Sequence, residues 1–133
     1  MDATGVTLPL RESADIVRMR QIVREHAVQQ GFSLVDQTKL VTAASELGRN
    51  VLDYGGGGEV TVSMERMGSR RGVRLVFSDH GPGIADVQLA LRDGYSTGGG
   101  LGLGLGGAKR LSNEFAIESQ PGAGTRITVA RWK

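Results

Sequence analysis

The chain has 133 residues, enough for one domain around one core, and its 39% hydrophobic and 23% charged content is ordinary for a soluble globular protein. The absence of cysteine excludes disulfides, thiolate metal sites and cysteine nucleophiles. A formal net charge of +2 with scattered basic residues is too weak to argue for nucleic acid, the 5% aromatic content argues against a base-stacking platform, and no apolar run is long enough to cross a bilayer.

Val6 to Leu10 alternates and is expected to form a first strand. Ser13 reads as an N-cap. Ile16, Met19, Val23 and Ala27 then repeat at helical spacing to about Gln30, with Gly31 as C-cap. A second helix starts from Ser33 or Asp36, carries the stripe Leu40, Ala44, Leu47, Val51, and stops before the glycine run 55–58. Strands over 59–66 and 73–78 follow, joined by a turn over 67–72 that contains Arg70 and Arg71. Residues 79–83 break regular structure. Asp86 is placed to cap a short helix through Arg92, and a further helix runs near Leu105 to Asn113. Glu114 to Ser119 and Thr125 to Trp132 close the chain as two strands around the turn 121–124. This order predicts an α/β (α+β) two-layer sandwich, helices on one face of a mixed β-sheet, as a single domain over residues 1–133. The N-terminus has no basic segment followed by an apolar run, so the expected location is the cytoplasm. Arg18, Arg20 and Arg24 on the first helix read either as a partner surface or as a solvated face.

Residues 96–111, Ser-Thr-Gly-Gly-Gly-Leu-Gly-Leu-Gly-Leu-Gly-Gly-Ala-Lys-Arg-Leu, carry the strongest signal. Glycines let backbone approach a ligand closely. A helix start supplies unpaired N–H groups and partial positive charge, which together favour a phosphate. Leu101, Leu103 and Leu105 would clamp the loop to a core, a use that a flexible linker lacks. No Gly-Lys-Ser/Thr follows, so it is not a Walker loop. The hydroxyls of Ser96 and Thr97 could assist phosphate binding or cap the turn.

Two further motifs come earlier in the chain. Glu46 and Asn50 are four apart on the second helix and share a face. There a carboxylate could accept a proton and an amide oxygen could hold Mg²⁺; the same pair also reads as polar residues near a helix end. Asp79-His-Gly-Pro-Gly-Ile84 follows a strand. A carboxylate at a strand end can accept from an exocyclic amine such as that of adenine, while Gly81 and Gly83 would let backbone pass a flat ring; the alternative is a tight turn. His26 and His80 stand apart, which argues against a histidine metal site.

Taken in order, Glu46…Asn50, Asp79-x-Gly-x-Gly83 and Gly100-x-Gly-Leu-Gly-Leu105 resemble the ATP-binding superfamily of gyrase, Hsp90, histidine kinases and MutL (the GHKL superfamily, with the Bergerat fold). Within it the chain is similar to bacterial serine-protein kinases of anti-sigma-factor partner switching. The nearest likeness is to the RsbT-type switch kinase of the stressosome, through Asp79–Ile84, Asp93-Gly-Tyr-Ser-Thr97 and Gly106–Leu111. The resemblance implies Mg-ATP as the phosphate source, Glu46 as general base and Asn50 as magnesium ligand. It implies Asp79 on the adenine amino group, with Gly81, Gly83 and Ile84 shaping that pocket. Ser96, Thr97, Gly98, Gly99, Gly100, Leu101, Gly102, Leu103, Gly104 and Leu105 would bind the triphosphate. Gly124-Thr125 matches the family's Gly-Thr, where the threonine supports the adenine site. Residues 87–97 would be a short lid.

The resemblance also names a STAS-domain antagonist as substrate, leaves a sigma factor or a phosphatase as further partners, and implies neither nucleic acid nor membrane. A competing function is a nucleotide-gated binding module that acts by contact alone. Three departures stand out: Tyr54 where many relatives have histidine, the run Gly55–Gly58, and Asn113 where an acidic residue is common.

Overall fold

The computed structural model describes residues 5–81, 104–119 and 121–133. Its elements are β1 (Val6–Leu10), α1 (Ser13–Gln29), α2 (Leu34–Asp53), β2 (Gly58–Met67), β3 (Arg70–Asp79), α3 (Gly104–Arg110), β4 (Glu114–Ser119) and β5 (Thr125–Trp132).

Local chemistry sets most of these boundaries. The N-cap of α1 is Glu12 rather than the expected Ser13. The reason is Asp15, whose carboxylate turns back to accept from the Arg11 and Glu12 amides at 2.8 and 3.2 Å, satisfying donors that the first turn leaves open. The helix ends in paired reverse bonds, Phe32 N–H to Ala27 C=O and Gly31 N–H to Val28 C=O, both 3.0 Å. That is the Schellman closure, with Gly31 at φ +82° and Phe32 buried beneath it. Ser33 caps α2 by accepting from Asp36 N–H at 3.1 Å. The apolar stripes read from the sequence are buried: Ile16, Met19, Val23 and Ala27 on α1, and Leu40, Ala44, Leu47 and Val51 on α2.

The strands form one five-stranded sheet in the order β1-β2-β3-β5-β4. All four ladders among the described residues are antiparallel, so the sheet is not the mixed one expected. No parallel neighbour arises because β5 returns beside β3 in the opposite direction after α3. The β2–β3 hairpin is longer than expected: Met67 pairs with Arg70 across a two-residue turn, so Arg70 and Arg71 belong to a strand. Arg70 then lies over the Trp132 ring at 5.7 Å, and the Trp132 indole N–H donates to Glu114 at 2.8 Å. Helix α3 stops at Arg110, earlier than expected, and Asn113 is used elsewhere: its side-chain oxygen accepts the Trp132 backbone N–H at 2.6 Å. Pro9 sits on the edge strand β1, where its missing N–H costs no ladder bond.

One face of the sheet is apolar. Val60 and Val62 of β2, Val73, Leu75 and Phe77 of β3, and Ile127 and Val129 of β5 are buried with the helix stripes in a single core. The helices therefore form one layer and the sheet the other, as expected from the element order.

Arg131, at the end of β5, ties this core at one corner. Its guanidinium donates to Asp36 at the start of α2 and to the Leu111 carbonyl just past α3, both at 2.8 Å. That hydrogen bond, with the charge of Arg131 and help from Ser33 and Lys39, holds the Asp36 carboxyl below the usual carboxylate range, against the opposing effect of burial. A carboxyl lowered in the folded chain stabilises it above the unfolded value, about pH 4, and that gain is lost as the pH falls through the folded value. The gap in urea midpoint between the wild type and Asp36→Asn should therefore be steady from neutral pH to about pH 5 and close below about pH 4. A gap that widens on acidification would contradict the pairing.

Candidate functional site

Four strands bring their ends into one row. Gly58 of β2 pairs with Asp79 of β3, Asp79 with Thr125 of β5, and Thr125 with Ser119 of β4. Strand alternation puts Asp79 on the face of Leu75 and Phe77, and Thr125 on the face of Ile127 and Val129. Both therefore belong to the helix side of the sheet, at its rim. The Asp79 carboxylate accepts the Gly81 amide at 2.9 Å, which closes the Asp-His-Gly turn and fixes one carboxylate oxygen. Thr125 Oγ1 lies 2.9 Å from Ser119 Oγ, and Ser119 Oγ donates to the Gly124 carbonyl at 3.2 Å.

The end of α2 is locked against this row. After Asn50 the chain closes through Tyr54 N–H to Asn50 C=O at 3.0 Å and Gly57 N–H to Val51 C=O at 2.9 Å. A Cβ on Gly55 would lie 2.4 Å from the Asp79 carboxyl carbon, and one on Gly58 would lie 2.0 Å from the Ser78 carbonyl oxygen. The glycine run, a departure in the sequence, is thus a close-packed joint between helix and sheet. Asn50 is half-buried one turn before Gly55, and Glu46 is half-buried one turn earlier still. The fold accordingly collects Asn50, Asp79, Gly81 and Thr125 at one end of the molecule, with Glu46 next along the same helix.

Helix α3 begins at Gly104, at the end of the glycine-leucine run, and packs on α2 with Leu105 and Ala108 buried. Leu105 is thus buried in the core, as expected of it. Gly83, Ile84, Ser96, Thr97, Gly98, Gly99, Gly100, Leu101, Gly102 and Leu103 lie outside the described residues, as do the short helix expected after Asp86 and the lid. His80 is exposed. Ser119 was not singled out by the sequence reading. The signal was there, because two strands closing around 121–124 can pair Ser119 with Thr125.

The donor set suits a purine and a hard metal ion. Asp79 and Thr125 place oxygens at the rim that a ring amine can donate to, and α3 starts where the glycine-leucine run of the sequence ends. Among the described residues no three His, Cys, Asp or Glu side chains group to hold a metal by themselves. Magnesium commonly takes one or two protein oxygens and completes its shell with substrate phosphates and water. A single amide oxygen from Asn50 fits that pattern. Among the described residues no helix is long and apolar enough to cross a membrane.

Comparison with known proteins agrees with this fold. Residues 35–133 match the family described as histidine kinase-, DNA gyrase B-, and HSP90-like ATPase. The chain is 43% identical over 118 residues to the serine/threonine-protein kinase RsbT of Bacillus subtilis (strain 168), covering 89% of each. Its fold is similar to that in a crystal structure of the RsbU and RsbW domains of a Mycobacterium tuberculosis protein, with a TM-score of 0.66 and 21% identity. That match covers 100% of this chain and 33% of the other.

Gly122 and Gly124 separate two effects at the rim. Both have positive φ, +80° and +82°, but a Cβ on Gly122 meets open space, whereas one on Gly124 would lie 2.2 Å from the Asp79 carbonyl oxygen. Gly122→Ala should cost about 1 kcal/mol for its backbone conformation alone. Gly124→Ala should cost at least about 1 kcal/mol more, from overpacking against β3. Urea unfolding of the two variants measures the difference; equal losses would remove the close contact from the account.

Proposed function

The chain belongs to the histidine kinase-, DNA gyrase B- and HSP90-like ATPase family, and we propose that this member, a protein-serine/threonine kinase, uses Mg-ATP to phosphorylate a STAS-domain antagonist in a bacterial partner-switching pathway. The observation that carries the nucleotide half of this reading is the row Asp79–Thr125 with the α2 terminus packed onto it. The kinase half is supported by the 43% identity to a named serine/threonine-protein kinase across 89% of the chain.

In this reading the whole chain works as one ATP-binding kinase domain in the cytoplasm. Asp79 accepts a hydrogen bond from the adenine amino group. Gly81, Gly83 and Ile84 line the ring, and Thr125 supports it. The triphosphate lies along residues 96–105, where backbone amides and the start of α3 meet its charge. Asn50 ligates magnesium, which supplies neutralisation of phosphate charge when bound. Phosphoryl transfer asks the protein for alignment and electrostatic stabilisation more than for covalent chemistry. Glu46 takes the proton of the acceptor hydroxyl as the new O–P bond forms and the β,γ-bridging oxygen departs with the electron pair.

The test uses the intact chain, labelled Mg-ATP and a STAS-domain protein, with the added phosphate located by mass spectrometry. Glu46→Ala should lower transfer by about 100-fold or more while nucleotide affinity changes little. Asp79→Asn should weaken ATP binding by about tenfold or more, because a charge-assisted hydrogen bond is replaced by a mismatched amide. Transfer at the wild-type rate by Glu46→Ala would overturn the base assignment. Nucleotide binding without transfer to any antagonist would assign the chain to a contact-only module.

A further inference from the structure

The hydroxyls at the sheet rim form a chain that ends on a backbone carbonyl. A carbonyl oxygen can only accept, so the Ser119 proton points to the Gly124 carbonyl, 3.2 Å away. Ser119 Oγ has no second proton. By distance either hydroxyl can donate across the 2.9 Å contact between Ser119 Oγ and Thr125 Oγ1; with the serine proton on the carbonyl, the threonine proton fills it. Thr125 is left with lone pairs alone to offer any ligand. Beside it in register, the Asp79 carboxylate is likewise an acceptor, with one oxygen already holding the Gly81 amide at 2.9 Å.

We propose that Ser119 is a positioning residue that sets the polarity of the Thr125 hydroxyl, so that the rim accepts a purine carrying a six-amino group and rejects one carrying a six-oxo group. The inference rests on the nucleotide reading above and deepens it. Adenine presents an exocyclic N–H donor at its six-position. Hypoxanthine presents a carbonyl there, which would face the lone pairs of both Asp79 and Thr125. A hydroxyl free to turn could relieve part of that repulsion by donating to the carbonyl. Ser119 removes this freedom by consuming the proton, at a distance of one strand from the ring.

Inosine triphosphate is the clean probe, because its base lacks the extra two-amino group of guanine. Magnesium complexes of ATP and ITP are titrated calorimetrically into the wild type, Ser119→Ala, Ser119→Thr and Thr125→Ala, with KM and kcat for phosphotransfer measured alongside. The wild type should prefer ATP. Ser119→Ala should reduce that preference about fivefold, the worth of one neutral hydrogen bond, and should move KM more than kcat. Ser119→Thr keeps a hydroxyl and should restore the preference. In a Thr125→Ala background, Ser119→Ala should change it no further. Equal losses for ATP and ITP in Ser119→Ala would reduce Ser119 to packing and overturn the proposal, as would an unchanged preference. A wild type that binds neither nucleotide would overturn the nucleotide reading and this inference with it, which distinguishes the two failures.

Discussion

Three glycines from two stretches of backbone converge on the last two residues of β3 at distances that no Cβ could share. Gly55 faces the Asp79 carboxyl, Gly58 faces the Ser78 carbonyl, and Gly124 faces the Asp79 carbonyl. This crowding is the constraint from which the candidate site follows. It joins the end of α2 to the rim of the sheet, so the residues one and two helical turns back, Asn50 and Glu46, cannot drift from Asp79. It also leaves Asp79 at the surface of a packed joint rather than in a loop of its own. The Asp79 carboxylate, held by the Gly81 amide and packed against Gly55, has its orientation set by folding, so the entropy of ordering it is already met.

The opposite corner is fastened by different physics. Arg131 reaches from β5 to the start of α2 and to the carbonyl that follows α3, with its planar fork serving two acceptors at once. The two helices that bear the halves of the proposed site, Glu46 and Asn50 on one and the end of the glycine-leucine run on the other, are thus pinned at their far ends to one strand. Glycine contacts set the near end of α2 and a guanidinium sets the far end. Between them lies the shared apolar core of Leu40, Leu47, Leu75 and Phe77.

Much of this was legible in the chain. The helix stripes, the cap at Ser33 and the strands 6–10, 114–119 and 125–132 follow from periodicity and capping chemistry, which act over a few residues. The ordered motifs around Glu46, Asp79 and the glycine-leucine run pointed to the family to which the chain belongs. The misreadings have local causes. Arg70 and Arg71 looked like turn residues because their charge suits a loop, yet a two-residue turn and the Trp132 ring hold them in a strand. Ser13 looked like a cap because hydroxyls commonly cap, but the Asp15 carboxylate reached the open amides first.

By itself the sequence determined which residues face inward, where most elements begin and end, and to which family the chain belongs, because these depend on spacing along the chain. Tertiary structure alone decided that every described ladder is antiparallel, that the glycine run 55–58 joins helix to sheet, and that Ser119 stands beside Thr125. Those outcomes depend on strand order and on the approach of segments far apart in sequence. Distance in space between such segments is set by packing the whole core, and no window of residues contains it.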